Sequence, residues 1–220
     1  MNGTRQRAFP FTPPTPDRSA DALIRTEANR AAVEALFEEP SAPGAVLLIA
    51  PRGGGKRHLA RLWAERRGAT IIDLAALGPA PEGPVAAVSA DRHADATTFL
   101  TILKRAEHGA PTLIAGRGQP ETWAKGVPDL ATRLASARRI ELPPPDDALA
   151  RRLIAKHLAD RGLDVAESAL SYAINRAPRS YDGIADFAAR IDALAMEQGP
   201  SKDVGLDLVR RALTEMFDAA

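Results

Sequence analysis

The stretch Ala50-Pro51-Arg52-Gly53-Gly54-Gly55-Lys56-Arg57 decides the fold. Immediately before it, Ala45-Val46-Leu47-Leu48-Ile49 is a compact apolar run that reads as a buried strand. Immediately after it, His58 to Arg67 carries Leu59, Leu62 and Trp63 at helical spacing. Strand, glycine-rich turn and helix form the context that a phosphate-binding loop requires. Gly53, Gly54 and Gly55 let backbone N–H groups close around a phosphate at the helix N-terminus, and Lys56 stands where a lysine reaches the terminal phosphates. The next position should be Ser or Thr, whose hydroxyl binds Mg²⁺. It is Arg57, and Ala50 replaces the first glycine of the pattern. The loop reads as able to hold phosphate and poorly equipped to hold the metal that hydrolysis needs.

Working outward, apolar runs alternate with helical patterns. Ser19 to Glu38 reads as a helix over its second half, ended by Pro40 to Gly44. Further strands read at Ala69–Leu74, Val85–Val88, Pro111–Ala115 and Arg139–Leu142, and further helices at Ala94–His108 and Asp129–Ala137. Such alternation implies an α/β fold, a parallel five-stranded sheet with helices on both faces. From Asp146, a good N-cap, the pattern is helical only: to about Arg161, then Ala166–Asn175, Ser180–Gln198 and Val204–Met216. Pro143-Pro144-Pro145 marks the change. The expected division is therefore a proline-rich extended tail (1–18), an α/β domain (19–145) and a small all-helical lid (146–220).

Composition narrows the function. The 220 residues are 45% apolar, enough for an α/β core plus a small second domain. No apolar stretch approaches the roughly 20 residues of a spanning helix, and the N-terminus has no apolar signal region. There are no cysteines, which excludes disulfides, thiolate catalysis and cysteine metal sites. A cytoplasmic location without membrane contact is the simple reading. A net charge of +1 gives no global attraction to nucleic acid.

The partner of a phosphate loop is an acidic pair at the end of the third strand, which holds Mg²⁺ and polarises water. Val88 and Ser89 stand there instead, and Asp91 is read as the cap of the following helix. Two motifs fail in the same direction, which argues against hydrolysis by this chain. Arg117, after the fourth strand, is either a phosphate contact or a solvated loop arginine. Arg133, within Pro128-Asp129-Leu130-Ala131-Thr132-Arg133-Leu134, is either a finger on another subunit's nucleotide or a helix-surface residue. Arg179 follows Pro178, whose fixed φ suits a helix start, and either reaches back to the nucleotide or lies in solvent. In the tail, Gln6, Phe9 and Phe11 make a compact peptide-docking pattern, or else fold back on the domain.

Taken together, these residues resemble the Hda family of DnaA-related inactivators within the AAA+ ATPases, over nearly the whole chain. The segments that carry the resemblance are the tail hexapeptide, the phosphate loop, Ala90-Asp91-Arg92, the Arg133 helix and Glu141-Leu142-Pro143-Pro144-Pro145-Asp146-Asp147. The resemblance implies a protein that binds ADP, or no nucleotide at all. It implies docking on the DNA polymerase III sliding clamp through Gln6, Phe9 and Phe11, with DNA met indirectly through the clamp. It implies that Arg133 acts in trans on ATP held by DnaA, with Arg179 as a second sensor arginine. Self-association into a homo-oligomer is compatible with it, and the helix-turn-helix of the initiator is not expected. The departures at Arg57, Val88 and Ser89 leave two other readings open: an adaptor that tethers partners without stimulating hydrolysis, and an ATPase of the helicase-loader type. Arg57 either replaces the metal's charge or fills the nucleotide site.

Overall fold

The apolar runs between residues 45 and 141 assemble into one parallel sheet. The computed structural model describes residues 23–39, 42–199 and 202–218. The sheet strands are β1 (Ala45–Ile49), β2 (Thr70–Asp73), β3 (Val85–Val88), β4 (Thr112–Gly116) and β5 (Arg138–Glu141), in spatial order β2-β3-β4-β1-β5. The described helices are α1 (Glu27–Phe37), α2 (Lys56–Arg67), α3 (Ala96–Glu107), α4 (Pro120–Trp123), α5 (Pro128–Ser136), α6 (Asp147–Ala159), α7 (Glu167–Ile174), α8 (Tyr181–Gln198) and α9 (Leu206–Asp218). β1 pairs with β4 from Ala45↔Thr112 to Ile49↔Gly116, and with β5 from Val46↔Arg138 to Ile49↔Glu141. Every pairing in this sheet is parallel. β1, β3 and β4 are buried along their full length, as strands covered on both faces must be.

The alternation along β1 builds both layers. Leu47 and Ile49 join Phe99, Ile102 and Leu103 of α3 and Leu130 and Leu134 of α5. Val46 and Leu48 join Val33 and Leu36 of α1 and Leu59, Ala60 and Trp63 of α2. Successive side chains of a strand point to opposite faces, so one five-residue run serves two cores. A third core lies within α6 to α9 and includes Ile154, Leu158, Leu170, Phe187, Ile191 and Val209. The five-stranded parallel sheet with helices on both faces, followed by a helical region, is the architecture expected from the sequence.

Some local details differ from expectation. Asp91 does not cap the helix after β3. It lies in a single 3₁₀ turn, Ala90–Arg92, and α3 is capped by Asp95, whose carboxylate accepts from the Thr97 and Thr98 amides at 3.0 and 2.8 Å. A cap needs extended backbone one residue before the helix, which Asp95 has (φ −137°, ψ 122°). Pro178 does not start α8 either. Ser180 caps it, accepting from the Gly183 amide at 3.1 Å, while the Pro178 ring occupies the space a Cβ at position 183 would need. Asp146 does cap α6, accepting from the Leu149 amide at 2.7 Å. The short helix α4 and the parallel pair β6 (Asp164–Val165) and β7 (Asp203–Val204) were not read from the sequence. The tail residues Gln6, Phe9 and Phe11 lie outside the described residues.

Candidate phosphate site

Ligands of open parallel sheets bind beyond the carboxyl ends of the strands, and the ends of β1 to β4 meet at one cavity here. The loop after β1 contributes Arg52, Gly53, Gly55, Lys56 and Arg57; β2 contributes Asp73; the segment after β3 contributes Ser89, Asp91 and Arg92; the segment after β4 contributes Arg117. The cavity measures about 890 Å³, and Arg61 completes its cationic wall. Six cationic side chains thus face two carboxylates, Asp73 and Asp91.

The loop has the backbone its sequence calls for. Gly53 and Gly55 stand at φ +76° and +73°, a region L-residues rarely adopt. Gly55 is the N-cap of α2 and makes no side-chain cap. The first-turn N–H groups, which have no intrahelical acceptor, therefore stand at the cavity beside Lys56. Gly54 is buried beneath the loop, where a Cβ would lie 3.2 Å from Ala50 Cβ and from the Pro51 carbonyl. Lys56 folds back, and its Nζ donates to the Ala50 and Pro51 carbonyls at 2.7 and 2.6 Å. Burial, and after it the charge of Arg117, pull the Lys56 ammonium down to about 8, against the pull of Asp91.

Each carboxylate on the cavity is held by an arginine. Arg57, in the position of the metal-binding hydroxyl, is paired with Asp73. Burial pushes Asp73 up, but hydrogen bonds from Ser89 and the Ala75 amide, with the charges of Arg57 and Arg92, hold it below its ordinary value. Asp91 accepts from the Arg117 amide and from Arg117 Nε, both at 3.1 Å. Arg117 is thus fixed on the cavity wall. Its carbonyl in turn accepts from Trp123 Nε1 at 2.6 Å. Val88 is buried in the sheet, and Ser89 sits in left-handed backbone (φ 62°) with its Oγ accepting from Arg92 at 3.3 Å.

The donor set fits the phosphates of a nucleotide: backbone amides at a helix N-terminus, a lysine and several guanidinium groups. It does not fit Mg²⁺. The hydroxyl ligand is Arg57, the acid positions are Val88 and Ser89, and both nearby carboxylates are already paired. Among the described residues no three His, Cys, Asp or Glu side chains gather as a metal site.

The remaining predicted residues lie elsewhere. Arg179 is not on the cavity; it pairs with Asp147 at the start of α6. Arg133 donates from Nε to Asp129 at 2.9 Å and pairs with Glu107 of α3. The helical region still touches the loop. A Cβ at Gly53 would lie 2.7 to 2.8 Å from the backbone of Tyr181 and Asp182, and Arg52 approaches Asp186 at 3.8 Å. The Tyr181 hydroxyl donates to the Pro143 carbonyl at 3.2 Å. Sequence reasoning missed Asp73, Arg92, Arg52 and Arg61 as cavity residues; their position just beyond strand ends, or on the loop and its helix, is the signal that could have found them.

No family model matches the chain, and no curated protein matches it. Solved structures do. Domain III of the Thermotoga maritima replication initiation protein DnaA superposes with a TM-score of 0.69 at 15% identity, covering 93% of this chain and 98% of that one. A Thermotoga maritima RuvB variant gives 0.62 at 17%, covering 90% and 72%. A replication initiator DnaA bound to AMPPCP and single-stranded DNA gives 0.56 at 15%, covering 81% and 67%. Among the described residues no helix is long and apolar enough to cross a membrane. At these identities the likeness is one of fold: this chain has the fold of DnaA domain III.

Proposed function

We propose that this chain is a regulator of replication initiation that binds a nucleotide, does not hydrolyse it, and stimulates hydrolysis by DnaA in trans. The observation that carries this reading is the cavity itself, a phosphate cradle whose metal ligands are replaced by arginine, valine and serine. Such a site is suited to being held in shape by ADP. The DnaA-like fold supports a link to DnaA, and an arginine supplied in trans can complete another protein's nucleotide site. Arg133 is the residue lent to the partner's triphosphate, and Gln6, Phe9 and Phe11 dock the tail on the sliding clamp, which brings DNA near indirectly. The division at residues 18 and 145 separates docking tail, nucleotide-site domain and lid. Arg179 would leave Asp147 to approach a bound nucleotide.

Arg133 is held by Glu107 and Asp129 in the isolated chain, so its action on a partner requires exchange of these carboxylates for phosphate. The test is ATP loss by DnaA on a DNA-loaded clamp. This chain is expected to accelerate it, with Arg133→Ala removing the effect, on the scale of the roughly 10³ to 10⁵ an arginine finger contributes. Glu107→Gln, which frees one side of Arg133, is expected to raise the stimulation. No acceleration by the intact chain would favour the adaptor reading.

A further inference from the structure

We propose that the cavity takes the polyphosphate of a nucleotide without a divalent metal, its arginines supplying the positive charge that a metal would bring. The inference rests on reading the cavity as a phosphate site and on no partner protein.

A Mg²⁺ ion entering here would have to detach Asp73 from Arg57 or Asp91 from Arg117, and would do so against six cationic side chains. A hard cation binds through oxygen ligands; positions 57 and 88 carry no side-chain oxygen, and position 89 carries a hydroxyl, already bonded to Arg92, in place of a carboxylate. The same wall suits the metal-free ligand. A triphosphate without Mg²⁺ keeps the negative charge that the ion would have cancelled. Guanidinium groups match phosphate oxygens in pairs of parallel hydrogen bonds.

The arginines are also able to make the exchange. Arg57 is 66% exposed along a long side chain, and its partner Asp73 is an anionic oxygen acceptor that a phosphate oxygen can replace. Arg117 lines the same cavity, and its Nε bond to Asp91 leaves its terminal nitrogens for another acceptor. Lys56 is satisfied only by two neutral carbonyls, so an anion offers it a stronger, charge-assisted partner. The depressed Lys56 value, part of it due to Arg117, agrees with a cavity carrying excess positive charge.

Calorimetry of the full chain tests this with ADP, ATP and inorganic tripolyphosphate, each in Mg²⁺ and in EDTA. The expected result is that each binds as tightly or more tightly in EDTA. Arg57→Ser should weaken binding in EDTA by about tenfold or more, and Arg117→Gln should do the same, as loss of a charge-assisted pair requires. Arg57 is exposed, so its variant is expected to fold, which circular dichroism verifies. Affinity that falls about tenfold when Mg²⁺ is removed overturns the inference and leaves the phosphate site standing. So does unchanged metal-free affinity in both variants. If none of the three ligands binds in either condition, the phosphate-site reading falls with it.

Discussion

The Lys56 ammonium is caught between burial and Arg117, which disfavour its charge, and Asp91, which favours it. Its value in the folded chain is about 8, against an ordinary 10.5. Between these values the unfolded chain holds more protons at this position than the folded one, so this lysine makes folding more favourable as pH rises across that window. Anion affinity runs the other way, because the phosphate partner loses its charge above about 8. Tripolyphosphate binding should therefore weaken between pH 7.5 and 9 while the unfolding midpoint does not fall for this reason. Asp73, Asp91, His58 and the arginines also face the cavity. Affinity titrations over that range, repeated on Lys56→Met, check it; a flat profile in the intact chain would contradict the assignment. Arg57 and Lys56, read from their place after three glycines, both line the cavity. The Arg57–Asp73 and Arg117–Asp91 pairs were not legible in the sequence, since each joins residues from different strand ends.

Among the elements, α4 has the largest consequence for the site relative to its length. It spans Pro120–Trp123 and places a fully buried indole against Gly116, where a Cβ would lie 2.5 Å from the ring. Trp123 Nε1 holds the Arg117 carbonyl at 2.6 Å, and the Trp123 carbonyl meets the His93 ring at 2.8 Å. This four-residue element therefore ties the segment after β4 to the segment after β3, the two that carry Arg117 and Asp91. Trp123→Ala should cost about 3–5 kcal/mol of stability, read from the urea midpoint, and should loosen Arg117 so that phosphate affinity falls as well. Unchanged stability would show the indole to be dispensable. Longer elements such as α3 and α8 were legible because their apolar periodicity extends over several turns. α4 was not, because one turn carries no period. The β6–β7 pair was hidden for a related reason: two-residue strands far apart in the chain leave no local pattern.

At the scale of the whole molecule, the order of strand, loop and helix fixed the sheet, because each unit is specified by its own local pattern. The contact between the helical region and the phosphate loop was not legible. It depends on Gly53 meeting the α8 backbone and on Tyr181 reaching the Pro143 carbonyl, pairings of residues far apart in sequence. That contact brings the helical region against the glycine-rich loop, while the segments after β1, β3 and β4 supply arginines where metal ligands would stand. In the function proposed, the molecule holds a nucleotide and leaves the cutting to another site. Phosphate release by the isolated chain with ATP and Mg²⁺ tests this claim most directly. The account predicts no release above that of Lys56→Ala. Sustained Mg²⁺-dependent turnover, abolished by Lys56→Ala, would contradict it.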